Sequence, residues 1–153
     1  MIGALLTAGL ILAAIQKQKR RKRMFTEENA KEAINALKQV KGIDRAKLVE
    51  QMLRIETDNF KSKQYKLTGS AGMEDGKWRL KHLLPYFPGG KYKTITIQDN
   101  HRKGRYVKFI VWNSVKDFVF FLSDYIDRNG AQRWNPVNPD YLAEVQKIKT
   151  LFV

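Results

Sequence analysis

The sequence predicts a mainly helical domain with one small antiparallel β-hairpin, preceded by an N-terminal transmembrane helix. Apolar residues recur at helical spacing in several segments after residue 26. Two short segments near residue 100 alternate between apolar and polar side chains, which is typical of strands. An uninterrupted apolar run opens the chain. We therefore expect residues 1–23 to form a membrane anchor with a basic collar, and residues 24–153 to form a single folded domain.

Composition limits the classes of function. The chain has 153 residues, of which 43% are hydrophobic, enough for one domain with one core. It has no Cys, which excludes disulfides, thiol nucleophiles and cysteine-bound zinc. Its two His lie in unrelated contexts, so we expect neither a metal nor another cofactor. The formal net charge of +14 indicates a polyanionic partner, which can be nucleic acid, anionic lipid headgroups or an anionic cell-wall polymer.

The apolar run covers residues 2–15 and is followed by a basic collar with six positive charges between Lys17 and Arg23. A membrane span usually needs about 20 residues, but snorkelling lysines extend a shorter one. The charge follows the apolar run, whereas a cleaved signal peptide carries it in front. We therefore expect a single-pass anchor in a lipid membrane, with a collar that binds anionic headgroups or nucleic acid. The alternative is a buried helix. The anchor residues are Ile2, Leu5, Leu6, Leu10, Ile11, Leu12 and Ile15.

The folded domain begins with two predicted helices. Thr26 is a suitable N-cap for a helix that extends to about Val40 with an apolar face, and Gly42 ends it. Asp44 is then expected to cap a second helix that ends near Glu56. The stretch after Phe60 contains three glycines and many polar residues, and it predicts an irregular loop.

The second half of the domain is predicted to contain the hairpin and two more helices. Lys93–Gln98 and Arg105–Trp112 alternate as strands around a turn-rich connection. Ser114 is expected to cap the next helix, which Asn129-Gly130 ends. Asn138 and Pro139 are the predicted start of a last helix.

Glu56 is the most informative residue of the domain. It follows Met52 by four residues and Leu53 by three, so it falls on the apolar stripe of its helix. A carboxylate in that place is either paired or held protonated, and a protonated acid at a cleft suits a general acid. The alternative is a helix-end Glu that reaches solvent or pairs with Arg54 or Lys61.

The stretch RIETDNFKSKQYKLTGSAGME resembles the signature of bacterial glucosaminidase-type cell-wall hydrolases, which are mannosyl-glycoprotein endo-β-N-acetylglucosaminidase-like members of the lysozyme-like superfamily. The matching pieces are Glu56-Thr57, Asn59-Phe60, Ser62-Lys63 and Gly72-Met73. Further along, residues 109–122 resemble the family's strand-to-helix segment, and Tyr141 to Val145 resemble its final helix. The resemblance covers about residues 40 to 150 in the same order.

The resemblance implies a lysozyme-like α+β fold and a glycosidase that cleaves β-1,4 bonds of peptidoglycan, with Glu56 as its general acid. The position that often holds a second Glu in the family carries Gln98 here, with Asp99 beside it. Asp99 is therefore the second catalytic candidate, and other acids remain open: Asp58, Glu74 and Asp75. A route with a single acid, in which a hydroxyl of the sugar closes an anhydro ring, is also open.

Five further residues are candidates for substrate binding. Aromatic faces stack on pyranose rings, which suggests Tyr65, Trp78 and Tyr106, while Thr57 and Ser70 are placed to orient the acid or the substrate. With the anchor, these features predict a membrane-bound enzyme of the bacterial cell envelope or of the internal membrane of a bacteriophage particle, used in host entry or lysis. The alternatives are a basic membrane-associated structural protein with an inactive hydrolase fold and a nucleic-acid-binding membrane protein.

Overall fold

The computed structural model describes residues 8–15, 25–72, 81–99 and 102–152. Residues 8–15 and 81–83 are helical, and short 3₁₀ turns occur at Leu84–Tyr86, Pro88–Gly90 and Ala131–Trp134. The mainly helical fold with one antiparallel hairpin is as expected. The main elements are α1 (Glu27–Lys41), α2 (Ile43–Glu56), α3 (Lys63–Thr68), β1 (Lys93–Gln98), β2 (Tyr106–Val111), α4 (Val115–Asn129) and α5 (Tyr141–Gln146).

The prediction of an N-terminal transmembrane helix is wrong. Within the described residues, no helix has the length and apolar character needed to cross a membrane. The predicted localisation, a single-pass protein of a cell envelope or of a phage membrane, is wrong on the same finding. Of the anchor residues, Leu10, Ile11, Leu12 and Ile15 are exposed, and Ile2, Leu5 and Leu6 lie outside the described residues.

Local sequence signals account for α1. The Thr26 hydroxyl accepts a hydrogen bond from the Asn29 backbone N–H at 3.1 Å, and the Asn29 side chain accepts one from the Thr26 backbone N–H at 3.0 Å. This reciprocal capping box fixes the first turn. The apolar stripe packs against α2 and α4 and is buried as predicted, at Ala30, Ala33, Ile34 and Leu37.

The junction between α1 and α2 differs from the prediction. Gly42 has a φ of 89°, a conformation that suits glycine. It is both the C-cap of α1 and the N-cap of α2. Asp44 therefore lies inside the first turn of α2, where its charge favours the helix N-terminus, and it makes no capping hydrogen bond. With a single connecting residue, the two helices pack closely against each other.

Helix α3 occupies part of the stretch that was predicted to be an irregular loop. The Ser62 hydroxyl caps it by accepting from the Tyr65 backbone N–H at 3.2 Å. The Tyr65 ring is fully buried, and its hydroxyl donates to the Thr26 backbone oxygen at 2.6 Å. Gly69 ends the helix with a φ of 73°, and a Cβ there would lie 2.5 Å from the Phe25 ring. The Phe25 ring and the Thr26 backbone oxygen, which directly precede α1, therefore hold this short helix in place.

The hairpin matches the prediction, because β1 and β2 pair antiparallel with Ile97 opposite Val107 and Ile95 opposite Phe109. Trp112 follows β2 and donates its backbone N–H to the Thr68 oxygen at 2.8 Å, which joins the hairpin to the end of α3. The Trp112 ring is buried in an aromatic cluster with Phe87, Phe118 and Phe121.

The last two helices close the core. Ser114 caps α4 as predicted, by accepting from the Asp117 backbone N–H at 3.1 Å. The last helix begins later than expected, because Asn138 accepts from the Asp140 backbone N–H at 3.1 Å and shapes a turn in front of it. Helix α5 buries Tyr141 and Val145 against α2.

Tyr65→Phe tests the link between α3 and α1. Burial, followed by the charge of Glu27, raises the pKa of Tyr65 above its ordinary value. The unfolded chain then loses this proton at a lower pH than the folded chain, so the free energy of unfolding falls as the pH rises above about 10. We expect Tyr65→Phe to weaken this decline, and to cost about 1 kcal/mol at neutral pH through the lost hydrogen bond.

Urea unfolding between about pH 8 and about pH 11 measures both effects. Tyr106→Phe is the matched control, because its side chain is 65% exposed on the hairpin surface. The same slope of stability against pH in wild type and Tyr65→Phe would contradict this role of the buried hydroxyl.

Candidate active site

One cleft brings together the end of α2, the start of α3 and one face of the hairpin. Its volume is about 430 Å³, enough for part of a sugar chain. Among the residues that the structure describes, two carboxylates line it, Glu56 and Asp99. The apolar side chains come from the hairpin (Ile97, Val107 and Phe109), and the cationic ones are Lys63, Arg102 and Arg105. Sugar-binding sites need this combination of apolar surface and a few polar groups.

Glu56 is the last residue of α2 and is partly exposed at the cleft. The Thr57 hydroxyl ends the helix, because it donates to the Leu53 backbone oxygen at 2.6 Å and accepts from the Phe60 N–H at 2.8 Å. The next three residues, 58–60, all have positive φ, of 49°, 52° and 65°. Such strain in non-glycine residues is typical of functional sites. The turn leads the chain away from the helix end and leaves the Glu56 carboxylate at the cleft.

Arg54 holds this turn in place. Its Nε donates to Glu50 Oε2 at 3.0 Å, and its Nη1 donates to Asn59 Oδ1 at 3.3 Å. Its Nη2 lies 3.5 Å from Glu27 Oε1, and its guanidinium lies over the Phe60 ring, 5.3 Å from the centroid. One side chain therefore connects the start of α1, the body of α2 and the strained turn after Glu56.

Glu50, not Glu56, is the fully buried acid of α2. Its Oε2 also accepts from the Leu151 backbone N–H, which ties the C-terminal segment to the helix. Its Oε1 has no hydrogen-bond partner among the described residues. A buried carboxylate is costly without a counter-charge, so Arg54 is needed as its partner. The helical spacing of apolar residues that pointed to Glu56 places Glu50 near the same stripe. In the structure, Glu50 is the acid that pairs with Arg54.

Asp99 follows β1 at the opposite wall of the cleft. Its backbone N–H donates to the Arg105 oxygen at 2.7 Å, which extends the hairpin ladder by one step. Its Oδ2 lies 3.9 Å from Arg105 Nε, and its side chain is only 11% exposed. The structure therefore brings Asp99 and Glu56, which are far apart in sequence, to one cleft.

Tyr141 supplies a phenol next to Glu56. Burial, then the negative charge of Glu56 and a hydrogen bond to it, raise the pKa of Tyr141 above its ordinary value. No described residue gives this buried hydroxyl another partner. The hydroxyl therefore stays protonated and is available as a donor to the Glu56 carboxylate.

The other predicted site residues that the structure describes do not line this cleft. Thr57, Ser70 and Tyr65 are fully buried, and their hydroxyls bond inside the protein; the Ser70 hydroxyl, for example, lies 2.9 Å from Thr68 Oγ1. Tyr106 pairs opposite Gln98 and is exposed. Asp58 is exposed in the strained turn. Three predicted residues lie outside the described residues: Trp78, Glu74 and Asp75.

Two cleft residues, Arg102 and Arg105, had no part in the sequence-based hypothesis. They lie at the tip of the hairpin. Their position in a turn that follows Asp99 is the sequence feature that could have indicated a place beside this acid. Lys63, which belongs to the Ser62-Lys63 piece of the resemblance, also lines the cleft. Within the described ranges, no group of three or more His, Asp or Glu side chains is placed to hold a metal ion.

Comparisons of the chain with protein-family models, with curated proteins and with solved structures found no match. The chemistry of the cleft is therefore the basis for any functional conclusion.

Arg54→Leu tests the buried pair. It leaves the Glu50 carboxylate buried without a counter-charge, which is expected to lower the free energy of unfolding by about 3–5 kcal/mol. Adding Glu50→Gln removes that charge and should restore part of the loss. Urea unfolding at neutral pH measures both variants.

The control is Asp127→Asn, which breaks the more exposed pair with Arg45 and should cost less than about 1 kcal/mol. Equal losses in Arg54→Leu and Asp127→Asn would contradict a special cost of the buried pair.

Proposed function

We propose that this protein is a peptidoglycan-degrading glycosidase that cleaves β-1,4 bonds between GlcNAc and MurNAc. The observation that carries the proposal is the cleft in which Glu56 faces the hairpin wall with Asp99. Glycosidases typically use two carboxylates on either side of the scissile bond. Ile97, which is half-buried on the hairpin wall, supplies accessible apolar surface for one face of a pyranose ring, while Val107 and Phe109 are buried.

In the proposed reaction, Glu56 donates its proton to the glycosidic oxygen as the bond to the anomeric carbon breaks. Positive charge then develops on the sugar ring, and the Asp99 carboxylate stabilises it or accepts the proton of an attacking water. The Tyr141 hydroxyl holds the Glu56 carboxylate in position. If the sugar's own hydroxyl attacks instead of water, the product is an anhydro sugar, and the fragments distinguish the two routes.

Glu56→Gln removes the proton donor and keeps the shape of the side chain. Because general acids typically contribute about 10²–10⁴-fold, we expect the cleavage rate of purified peptidoglycan to fall by at least about 100-fold. Mass analysis of the wild-type fragments identifies the bond that is cut, from reducing-end GlcNAc, reducing-end MurNAc or anhydro-MurNAc.

The matched control is Glu28→Gln, which removes an exposed carboxylate from the first turn of α1. It should leave the rate unchanged, and thermal unfolding checks that all variants are folded. Cleavage that survives Glu56→Gln would remove Glu56 from its role. If wild type does not cleave peptidoglycan but binds DNA with an affinity that falls steeply with salt, the results would support a nucleic-acid-binding protein instead.

Asp99→Asn tests the second carboxylate. If Asp99 acts as the base or as the stabilising anion, its loss should lower the rate by about 10²–10⁴-fold. The cleavage rate of purified peptidoglycan at neutral pH, compared between wild type and Asp99→Asn, measures this loss. Full activity of Asp99→Asn with anhydro products would favour the route with a single acid.

A further inference from the structure

We infer that Lys63 and Arg102 bind carboxylates carried by the MurNAc residues of the substrate, so that the cleft selects a negatively charged strand over a neutral polymer with the same β-1,4 linkage. The inference rests on the proposed function, because it concerns the substrate class of the same cleft.

The cationic side chains of the cleft have different surroundings. Arg105 is held against Asp99, through its backbone oxygen at 2.7 Å and its Nε at 3.9 Å. Lys63 and Arg102 are exposed, and neither forms a salt bridge with any other part of the chain that the structure describes. Among the described residues, Arg105 therefore faces a carboxylate of the protein itself, whereas Lys63 and Arg102 are exposed cations with no such partner.

Lys63 and Arg102 approach the cleft from different elements. Lys63 opens α3, just after the turn that follows Glu56, and Arg102 lies at the hairpin tip, close in sequence to Asp99. Each catalytic candidate therefore has one of these cations close to it in sequence, Lys63 for Glu56 and Arg102 for Asp99. Positive charges that converge on a cleft repel each other, and they raise the local concentration of an anionic ligand.

The chemistry of the strand explains what these cations bind. A GlcNAc unit offers only hydroxyl and acetamido groups. A MurNAc unit also carries a lactyl ether next to its O4 linkage, and this group ends in a carboxylate or in a peptide that bears carboxylates. Arginine binds carboxylates through paired hydrogen bonds, and lysine binds them as a point charge. A cation beside the scissile bond therefore distinguishes the two polymers.

The test uses soluble uncross-linked glycan strands, the same strands with their carboxyl groups amidated by glycinamide, and neutral chitin oligosaccharides. We expect the Lys63→Gln, Arg102→Gln double variant to raise KM for native strands by at least about tenfold with little change in kcat. On amidated strands, the double variant and wild type should have the same KM. Ionic strength is held constant, because salt screens exposed charges.

The matched control is Lys108→Gln. Lys108 is exposed on β2 opposite Thr96, does not line the cleft, and its replacement removes one positive charge from the same hairpin. It should leave KM unchanged. Three results would overturn the inference. Lys108→Gln could raise KM as much as the double variant does, or the double variant could raise KM on amidated strands as much as on native strands. The third result is that wild type cleaves neutral chitin as well as it cleaves native strands.

A binding assay separates this inference from the proposed function. Native strands should bind Glu56→Gln at least about tenfold more tightly than amidated strands, and adding the double substitution should abolish the difference. If wild type cleaves none of the substrates but binds in this charge-dependent way, the proposed activity fails and the carboxylate site stands. If amidation leaves binding unchanged, the carboxylate site is overturned.

Discussion

The buried ion pair between Glu50 and Arg54 is the constraint on which the rest of the structure depends. A carboxylate removed from water costs several kcal/mol unless a partner compensates for it. Glu50 accepts both from Arg54 and from the backbone of Leu151, at the far end of the chain. Arg54 in turn reaches α1 and the turn after α2. One compensated charge therefore fixes where α1, the C-terminal segment and the turn next to Glu56 meet.

Features that depend on neighbouring residues were predictable from the sequence. Thr26 and Ser114 are the N-caps of α1 and α4, and each hydroxyl accepts from the backbone N–H three residues later. The apolar stripes of both helices are buried. The hairpin was predicted to within one residue because alternation records which strand residues face the core.

Features that depend on distant contacts were not predictable. Helix α3 has little apolar periodicity and is held by Tyr65, whose hydroxyl bonds to a residue 39 positions earlier. The choice of Glu50 as the buried acid depends on a backbone group 101 positions later. The apolar run at the start of the chain met the pattern of a membrane anchor, yet no helix among the described residues is long and apolar enough to cross a membrane. The arginines of the hairpin tip join the cleft only once the hairpin has folded over it.

The hairpin makes the cleft unequal in stiffness. None of the side chains of β1 is fully buried, whereas α2 contributes five buried residues to the core. Two-stranded hairpins are marginally stable alone, and segments with few buried contacts open at a lower free-energy cost than the core. The wall with Asp99 and Arg102 is therefore the compliant one, and the wall with Glu56 is stiff. We expect a ligand too bulky for the cleft to displace the hairpin rather than the end of α2, so that Glu56 keeps its position.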